Sequence, residues 1–310
     1  MVPITPKAQF NQEFDASSLK GRSVLITGGA SGIGLASATT IAATGAFVTI
    51  ADVQEEAGTA IAKDLASKGL KVQFIRCDVA DYESQVAVFK SAIAFGGGKL
   101  DVVIPSAGVI GDVNLVTMAT ASEPNIDSSP PEPGFRAVDI NLKAVYNTCF
   151  LAIHYFQLPR PEDDHFKKGI VLIGSVASYL GYKQNTTYSI SKFGLRGLLY
   201  SIREAASNIG IRVNLVAPWF VKTPLISDAA TAQLLALLGH TSVESVVGAI
   251  VKMSADQSIY GRAAMVKENG ETVDLGDDLW DGYGGVETQK AVADPFLKAS
   301  QKLSARHTAQ

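Results

Sequence analysis

Short, almost unbroken apolar runs alternate along this chain with longer stretches whose apolar positions recur at helical spacing. Residues 23–27, Ser-Val-Leu-Ile-Thr, read as a buried strand, and residues 32–44 as the helix after it, ended by Gly45. Residues 47–50 predict a second strand, 55–67 a second helix stopped at Gly69, 72–75 a third strand, and 82–95 a third helix ahead of three glycines. Residues 102–104 give a fourth strand, 135–156 a helix, 170–173 a fifth strand, 188–208 a helix and 213–216 a sixth strand. An Ala/Leu-rich helix is expected after Ser227, then a helix at 243–254 and a seventh strand at 263–266. Strands that are apolar on both faces and separated by helices imply an α/β fold, a parallel sheet covered on both sides.

One stretch breaks this rhythm. Residues 111–133 hold Pro124, Pro130, Pro131 and Pro133 among Ser, Asn and Asp, and predict a long loop or frayed helix near the middle of the fold. No repeat or linker divides the chain, so a single domain is expected over residues 21–275, including a substrate loop near 219–240. Residues 1–20 form an N-terminal extension and 276–310 a polar C-terminal tail.

Composition narrows the function classes. Apolar residues make up 47% and charged residues 18%, a globular balance rather than a disordered one. A net charge of -3 with scattered Lys and Arg gives no support for a nucleic-acid surface. No apolar run is long enough for a membrane span, and the first twenty residues lack a secretory core, so a cytoplasmic protein is expected. Cys77 and Cys149 read as buried small hydrophobes, and His154, His165, His240 and His307 form no ligand cluster, so no metal is expected.

The candidate chemistry begins at the first strand. It runs into Gly28-Gly29-Ala30-Ser31-Gly32-Ile33-Gly34 and then a helix. Glycines there let a backbone approach a pyrophosphate, and the helix N-terminus offers free N–H groups and partial positive charge. Asp52 closes the second strand, where a carboxylate can accept from both ribose hydroxyls and would repel a 2′-phosphate. No basic residue lies in the glycine turn or beside Asp52, where Val53 and Gln54 follow, so NAD is preferred to NADP. Asp78, with Val79 beside it, is placed to meet an adenine edge; a structural turn aspartate is the competing view. Farther on, Tyr188 and Lys192 stand four apart on a predicted helix, with Ser175 thirteen residues upstream. On one helix face the ammonium can reach the phenol and lower its pKa, which suits acid–base work.

Taken in order, these motifs resemble the short-chain dehydrogenase/reductase family in its single-domain form. The resemblance spans about residues 21–266 and is carried by Thr27-Gly28-x-x-x-Gly32-Ile33-Gly34, Asp52, Asp78-Val79, Ser106-Ala107-Gly108, Asn141, Ser175, Tyr188-x-x-x-Lys192 and Pro218-x-x-Val221-x-Thr223. It implies a Rossmann-like, doubly wound parallel sheet of about seven strands with helices on both faces. Tyr188 would be the general acid/base, Lys192 would hold the ribose and lower the Tyr188 pKa, and Ser175 would steady the substrate oxygen. Asn141 would help hold a water that links Lys192 to solvent. Pro218 to Thr223 would cover the nicotinamide, with Val221 near its carboxamide and Thr223 near the phosphates. The family also implies a homodimer or homotetramer formed through the helices near 135–157 and 186–208.

Two positions depart from the family pattern. Pro105 stands where an Asn is usual, and Trp219 where a Gly is usual, so the ring of Trp219 either narrows the substrate pocket or turns outward. Tyr182, Trp219 and Phe220 are candidate substrate contacts beside Ser175. Together with Leu225, Ile226, Leu234, Leu235, Leu237 and Leu238 they favour a mid-sized apolar or aromatic secondary alcohol or ketone. The chain is similar in texture to fungal secondary-metabolite and prostaglandin-type dehydrogenases of this family. A catalytically silent NAD-binding scaffold, or an isomerase or lyase on the same fold, stays open as an alternative.

Overall fold

The computed structural model describes residues 7–10, 12–111, 113–225 and 238–276. The apolar runs become eight strands of one sheet: β1 Ser23–Thr27, β2 Phe47–Asp52, β3 Val72–Arg76, β4 Val102–Pro105, β5 Lys168–Ile173, β6 Ile211–Pro218, β7 Ala263–Val266 and β8 Thr272–Asp274. Their order is β3-β2-β1-β4-β5-β6-β7-β8. All neighbours pair in parallel except β7 and β8. The strand order reverses between β1 and β4, which opens a crevice at the carboxyl ends of these strands.

Alternation along β1 divides the core. Val24 and Ile26 face one layer, built with α1 Gly32–Ala43, α2 Glu55–Ser67 and α8 Val243–Ala255. Leu25 faces the other, built with α3 Tyr82–Phe95, α6 Ala144–Tyr155 and α7 Thr186–Asn208. This is a Rossmann-like doubly wound sheet, with its inner strands buried on both sides.

Three expectations change. The sheet has an eighth strand: Thr272–Asp274 pairs antiparallel with β7, Val273 opposite Met265. A short helix, α4 Leu115–Ala119, forms inside the 111–133 loop, with the Asn114 side chain accepting from the Val116 N–H. The helix expected over 135–156 is broken into α5 Arg136–Val138, a π-helical turn Asp139–Lys143, and α6. Turns of that kind often mark functional sites, and this one carries Asn141. The helix expected after Ser227 and the tail beyond Gly276 lie outside the described residues.

Two cations secure α8. Arg212 of β6 is buried, and its guanidinium donates to the carbonyls of Met253 (2.7 Å), Ser254 (2.8 Å), Asp256 (3.1 Å) and Ile259 (3.3 Å), and through Nε to Lys167 (3.2 Å). It thus serves carbonyls at a helix end that have no intrahelical donor. Lys252, also buried, donates to the carbonyls of Gln9 and Gln12, each at 2.7 Å, and binds the N-terminal segment to the helix. Among the described residues no helix is long and apolar enough to cross a membrane.

Candidate active site

The turn after β1 is shaped by close approach. Gly28 has φ of 65°, and a Cβ there would stand 2.6 Å from the Ala107 backbone. A Cβ on Gly34 would lie 2.1 Å from the Gly28 carbonyl oxygen. The segment after β4 is drawn to the same place: the N–H of Ser106 donates to the Thr27 carbonyl (3.1 Å) and that of Ala107 to the Thr27 hydroxyl (3.3 Å). Gly108 sits with Asn141 Oδ1 3.3 Å from where its Cβ would be. Pro105 ends β4 opposite Thr27.

Ser31 precedes α1 with an extended backbone, and its side chain caps none of the first N–H groups. Those donors, at the positive end of a helix dipole, fit the pyrophosphate of a dinucleotide. Thr223 reaches back over this turn, its Cβ and Cγ2 3.4 Å from the Cβ position of Gly32. Val221 is buried and bridges to Thr241, which fixes the 218–223 stretch beside the crevice.

Asp52 is buried at the end of β2. Its Oδ2 accepts from the Ala30 N–H (3.0 Å) and its Oδ1 from the Gln54 N–H (3.1 Å), so the carboxylate faces the glycine turn. Val53 is exposed beside it. Asp78 is exposed and accepts from the Ala80 N–H at 2.9 Å, a bond that serves its own turn, while Val79 is buried. Sequence reading passed over Arg76, which pairs in register with Asp52 on the next strand. Its Nε lies 3.7 Å from Glu55 Oε2.

At the other end of the crevice, Asn185 caps α7 by accepting from the Tyr188 N–H at 2.8 Å. Ser175 caps the 3-10 turn Val176–Ser178, accepting from the Ala177 N–H at 3.1 Å. Its hydroxyl lies close enough to the Tyr188 phenol to favour the phenolate. Lys192 lies one turn beyond Tyr188, its ammonium 5.6 Å from the ring centre and donating to the Ile173 carbonyl at 2.8 Å. Ser175, Tyr188 and Lys192 are therefore brought together as the spacing predicts.

The electrostatics differ from expectation. Burial is the largest influence on Tyr188 and raises its phenol pKa, with the Ser175 hydroxyl opposing and Tyr182 reinforcing. Lys192 does not depress it in this state. Its ammonium is spent on a carbonyl rather than on the phenol oxygen, and burial lowers its own pKa to about 8.

Asn141 is buried, and its side chain is fully engaged. Oδ1 accepts from the Val109 N–H (2.8 Å), while Nδ2 donates to the Val109 carbonyl (2.8 Å) and to Ser191 Oγ (3.2 Å). Its amide thus reaches Tyr188 through Ser191 and not Lys192. Tyr182 packs edge-on to Phe220 (6.3 Å), which packs edge-on to Trp219 (5.5 Å). The Trp219 ring N–H donates to the Leu238 carbonyl at 3.2 Å, so the indole joins an aromatic wall. Sequence reading also missed Asn185 and Ser191; the first carried a visible signal, an Asn at a helix start.

A profile of the family described as short chain dehydrogenase matches residues 22–234. The chain belongs to the short-chain dehydrogenase family. Oxidoreductases of this family use a nicotinamide cofactor. A relative from Dothistroma septosporum, 5'-hydroxyaverantin dehydrogenase, is 40% identical over 288 residues, covering 89% of this dehydrogenase and 93% of its own chain. A second 5'-hydroxyaverantin dehydrogenase, from Emericella nidulans, is 38% identical over 287 residues (87% and 92%). A relative from a Phoma species named as an NADP-dependent dehydrogenase is 31% identical over 310 residues (94% and 88%).

Proposed function

We propose that this dehydrogenase interconverts a secondary alcohol and a ketone with NAD, and that Tyr188 is its general acid/base. The observation that carries this is the meeting of the Ser175 hydroxyl, the Tyr188 phenol and Lys192, one helical turn from Tyr188, at one end of the crevice. When bound, a nicotinamide supplies the hydride acceptor for the carbinol carbon. Tyr188 takes the hydroxyl proton as that carbon loses hydride, and returns it in ketone reduction. Ser175 donates to the substrate oxygen as charge grows there. Lys192 holds the nicotinamide ribose. Asn141 steadies Val109 and Ser191, and a water-holding role is left to its backbone.

The cofactor cleft is lined by Gly28, Ser31, Gly32, Ile33, Gly34, Asp52, Val53, Asp78, Val79, Ser106, Ala107, Gly108, Pro218, Val221 and Thr223. Residues 21–275 act as the catalytic unit, flanked by the 1–20 extension and the 276–310 tail. The aromatic wall of Tyr182, Phe220 and Trp219 suits an apolar or aromatic substrate. Relatives named for 5'-hydroxyaverantin make that alcohol the first to assay. Exposed Tyr146 and Phe150 on α6 and Ile190 on α7 suit a homodimer or homotetramer. Buried, unpaired Cys77 and Cys149 suit the cytoplasm.

A panel of secondary alcohols and ketones with both nicotinamides tests the activity. Reduced-nicotinamide absorbance is expected to rise with NAD and a hydrophobic alcohol. Protein that binds NAD yet turns over nothing in the panel is a scaffold, which overturns the proposal.

Asp52 sets the cofactor preference. The ratio of kcat/KM for NAD over NADP is expected to exceed about 10²-fold, and Asp52→Asn to narrow it by about tenfold or more. Asparagine keeps an acceptor for Ala30 while removing the charge that repels a 2′-phosphate. An unaltered ratio would remove Asp52 from this role.

The pH profile follows from two groups. Ketone reduction needs a protonated Tyr188, which its raised pKa secures through neutral pH, and a charged Lys192, which is lost above about 8. Reduction is therefore expected to be level between about pH 6 and 7 and to fall as pH passes 8. A profile flat to pH 10 would show that Lys192 charge plays no part.

A further inference from the structure

The chain between β4 and α4 is fastened at successive points to the π-helical turn before α6 and to the start of α7. Asn141 holds Val109 by its N–H and its carbonyl, both at 2.8 Å. Two residues on, Asn185 Nδ2 donates to the Gly111 carbonyl at 2.5 Å. Asn114 Nδ2 then donates to the Lys183 carbonyl (2.7 Å), and the Leu115 N–H to Thr186 Oγ1 (3.0 Å). Gly111 lies so close to α7 that a Cβ there would stand 2.1 Å from Thr187 Oγ1 and 2.8 Å from Asn185 Oδ1.

These bonds form a closed circuit around one residue. The Tyr188 N–H donates to Asn185, whose amide holds Gly111. The Tyr188 carbonyl accepts from Ser191 Oγ at 2.7 Å, and Ser191 accepts from Asn141, whose amide holds Val109. The backbone of Tyr188 is thus tied at both its polar groups to one three-residue segment. That segment continues directly from Ser106-Ala107-Gly108, which packs on the glycine turn.

We propose that Asn185 is a positioning residue of the active site, whose single carboxamide joins the Tyr188 backbone to Gly111 and so sets the phenol against the wall of the cofactor cleft. The proposal rests on the acid/base role given to Tyr188. Proton and hydride must leave one substrate in register, and a misplacement of about 1 Å can cost about 10² in rate. A helix cap alone has no such effect; it stabilises the fold and nothing more.

Asn185→Asp separates the two tasks. Aspartate caps a helix as well as asparagine but has no N–H to give Gly111. The variant is expected to melt within about 3 °C of the parent and to bind NAD within about twofold by calorimetry. Its kcat per NAD-binding site is expected to fall by about 10- to 100-fold, with KM changed far less. Gly111→Ala is expected to show the same split with Asn185 intact. Parental turnover per site in both variants overturns the proposal, and so does a loss that only tracks the loss of NAD sites.

Should the parent turn over no alcohol, the proposed reaction has failed, and the clamp is read without it. The tyrosinate absorbance of Tyr188 is taken as the difference between each protein and its Tyr188→Phe counterpart. A midpoint closer to the ordinary tyrosine value in Asn185→Asp than in the parent, as water reaches the phenol, supports the proposal. Superimposable titrations overturn it.

Discussion

Tyr188→Phe is expected to lower kcat by about 10³-fold or more while leaving NAD affinity within a few-fold of the parent. The change deletes one oxygen and keeps the ring beside the Lys192 ammonium. Ser175 still accepts from the Ala177 N–H, so its turn stays capped. What disappears is the group that takes the alcohol proton. The nearest other phenol among the described residues that acts on it, Tyr182, raises the Tyr188 pKa, and its ring is packed on Phe220. Single-turnover measurements with the best alcohol of the panel would separate chemistry from product release. Unchanged turnover in the phenylalanine variant would sink the mechanism.

The largest expected effect on stability comes from a residue far from the crevice. Arg212→Leu should destabilise the fold by about 3 kcal/mol, because carbonyls at the end of α8 lose their donor in a dry environment. Some of that loss is offset, since burial already disfavours the guanidinium charge and pulls its pKa down to about 10. The expected fall in Tm is about 5–10 °C, read by calorimetry at fixed cofactor and protein concentration. Arg212→Lys should recover only part, because an ammonium cannot serve five carbonyls spread over two sides of a planar fork. An unshifted Tm in the leucine variant would mean that the carbonyls find other donors.

Much of the fold was legible because its strands are apolar on both faces and its helices end at glycines. Gly45 and Gly69 both take the left-handed conformation that ends a helix. The eighth strand escaped because Thr272–Asp274 is three residues with one apolar side chain; only pairing with β7 makes it a strand. Within the site, the spacing of Tyr188 and Lys192 fixed their shared helix face. It carried no information on where the ammonium points, and Ile173 comes from a different element. Asp78 illustrates the same limit: its position after β3 was readable, but its bond to the Ala80 N–H was not. Asn185 stood in plain view three residues before Tyr188. Its second bond, to Gly111, depends on a loop that no local pattern brings near.

The segment that Lys252 holds has a practical consequence for engineering. The family profile begins at residue 22, and a minimal enzyme cut there would look complete by its motifs. Such a cut would discard Gln9 and Gln12, both acceptors of a buried ammonium, and the Phe14 ring 5.4 Å from it. α8, which that ammonium belongs to, packs against α1 behind the glycine turn. Trimming the chain to its recognisable part would therefore loosen the wall behind the dinucleotide cleft without touching a residue that lines it.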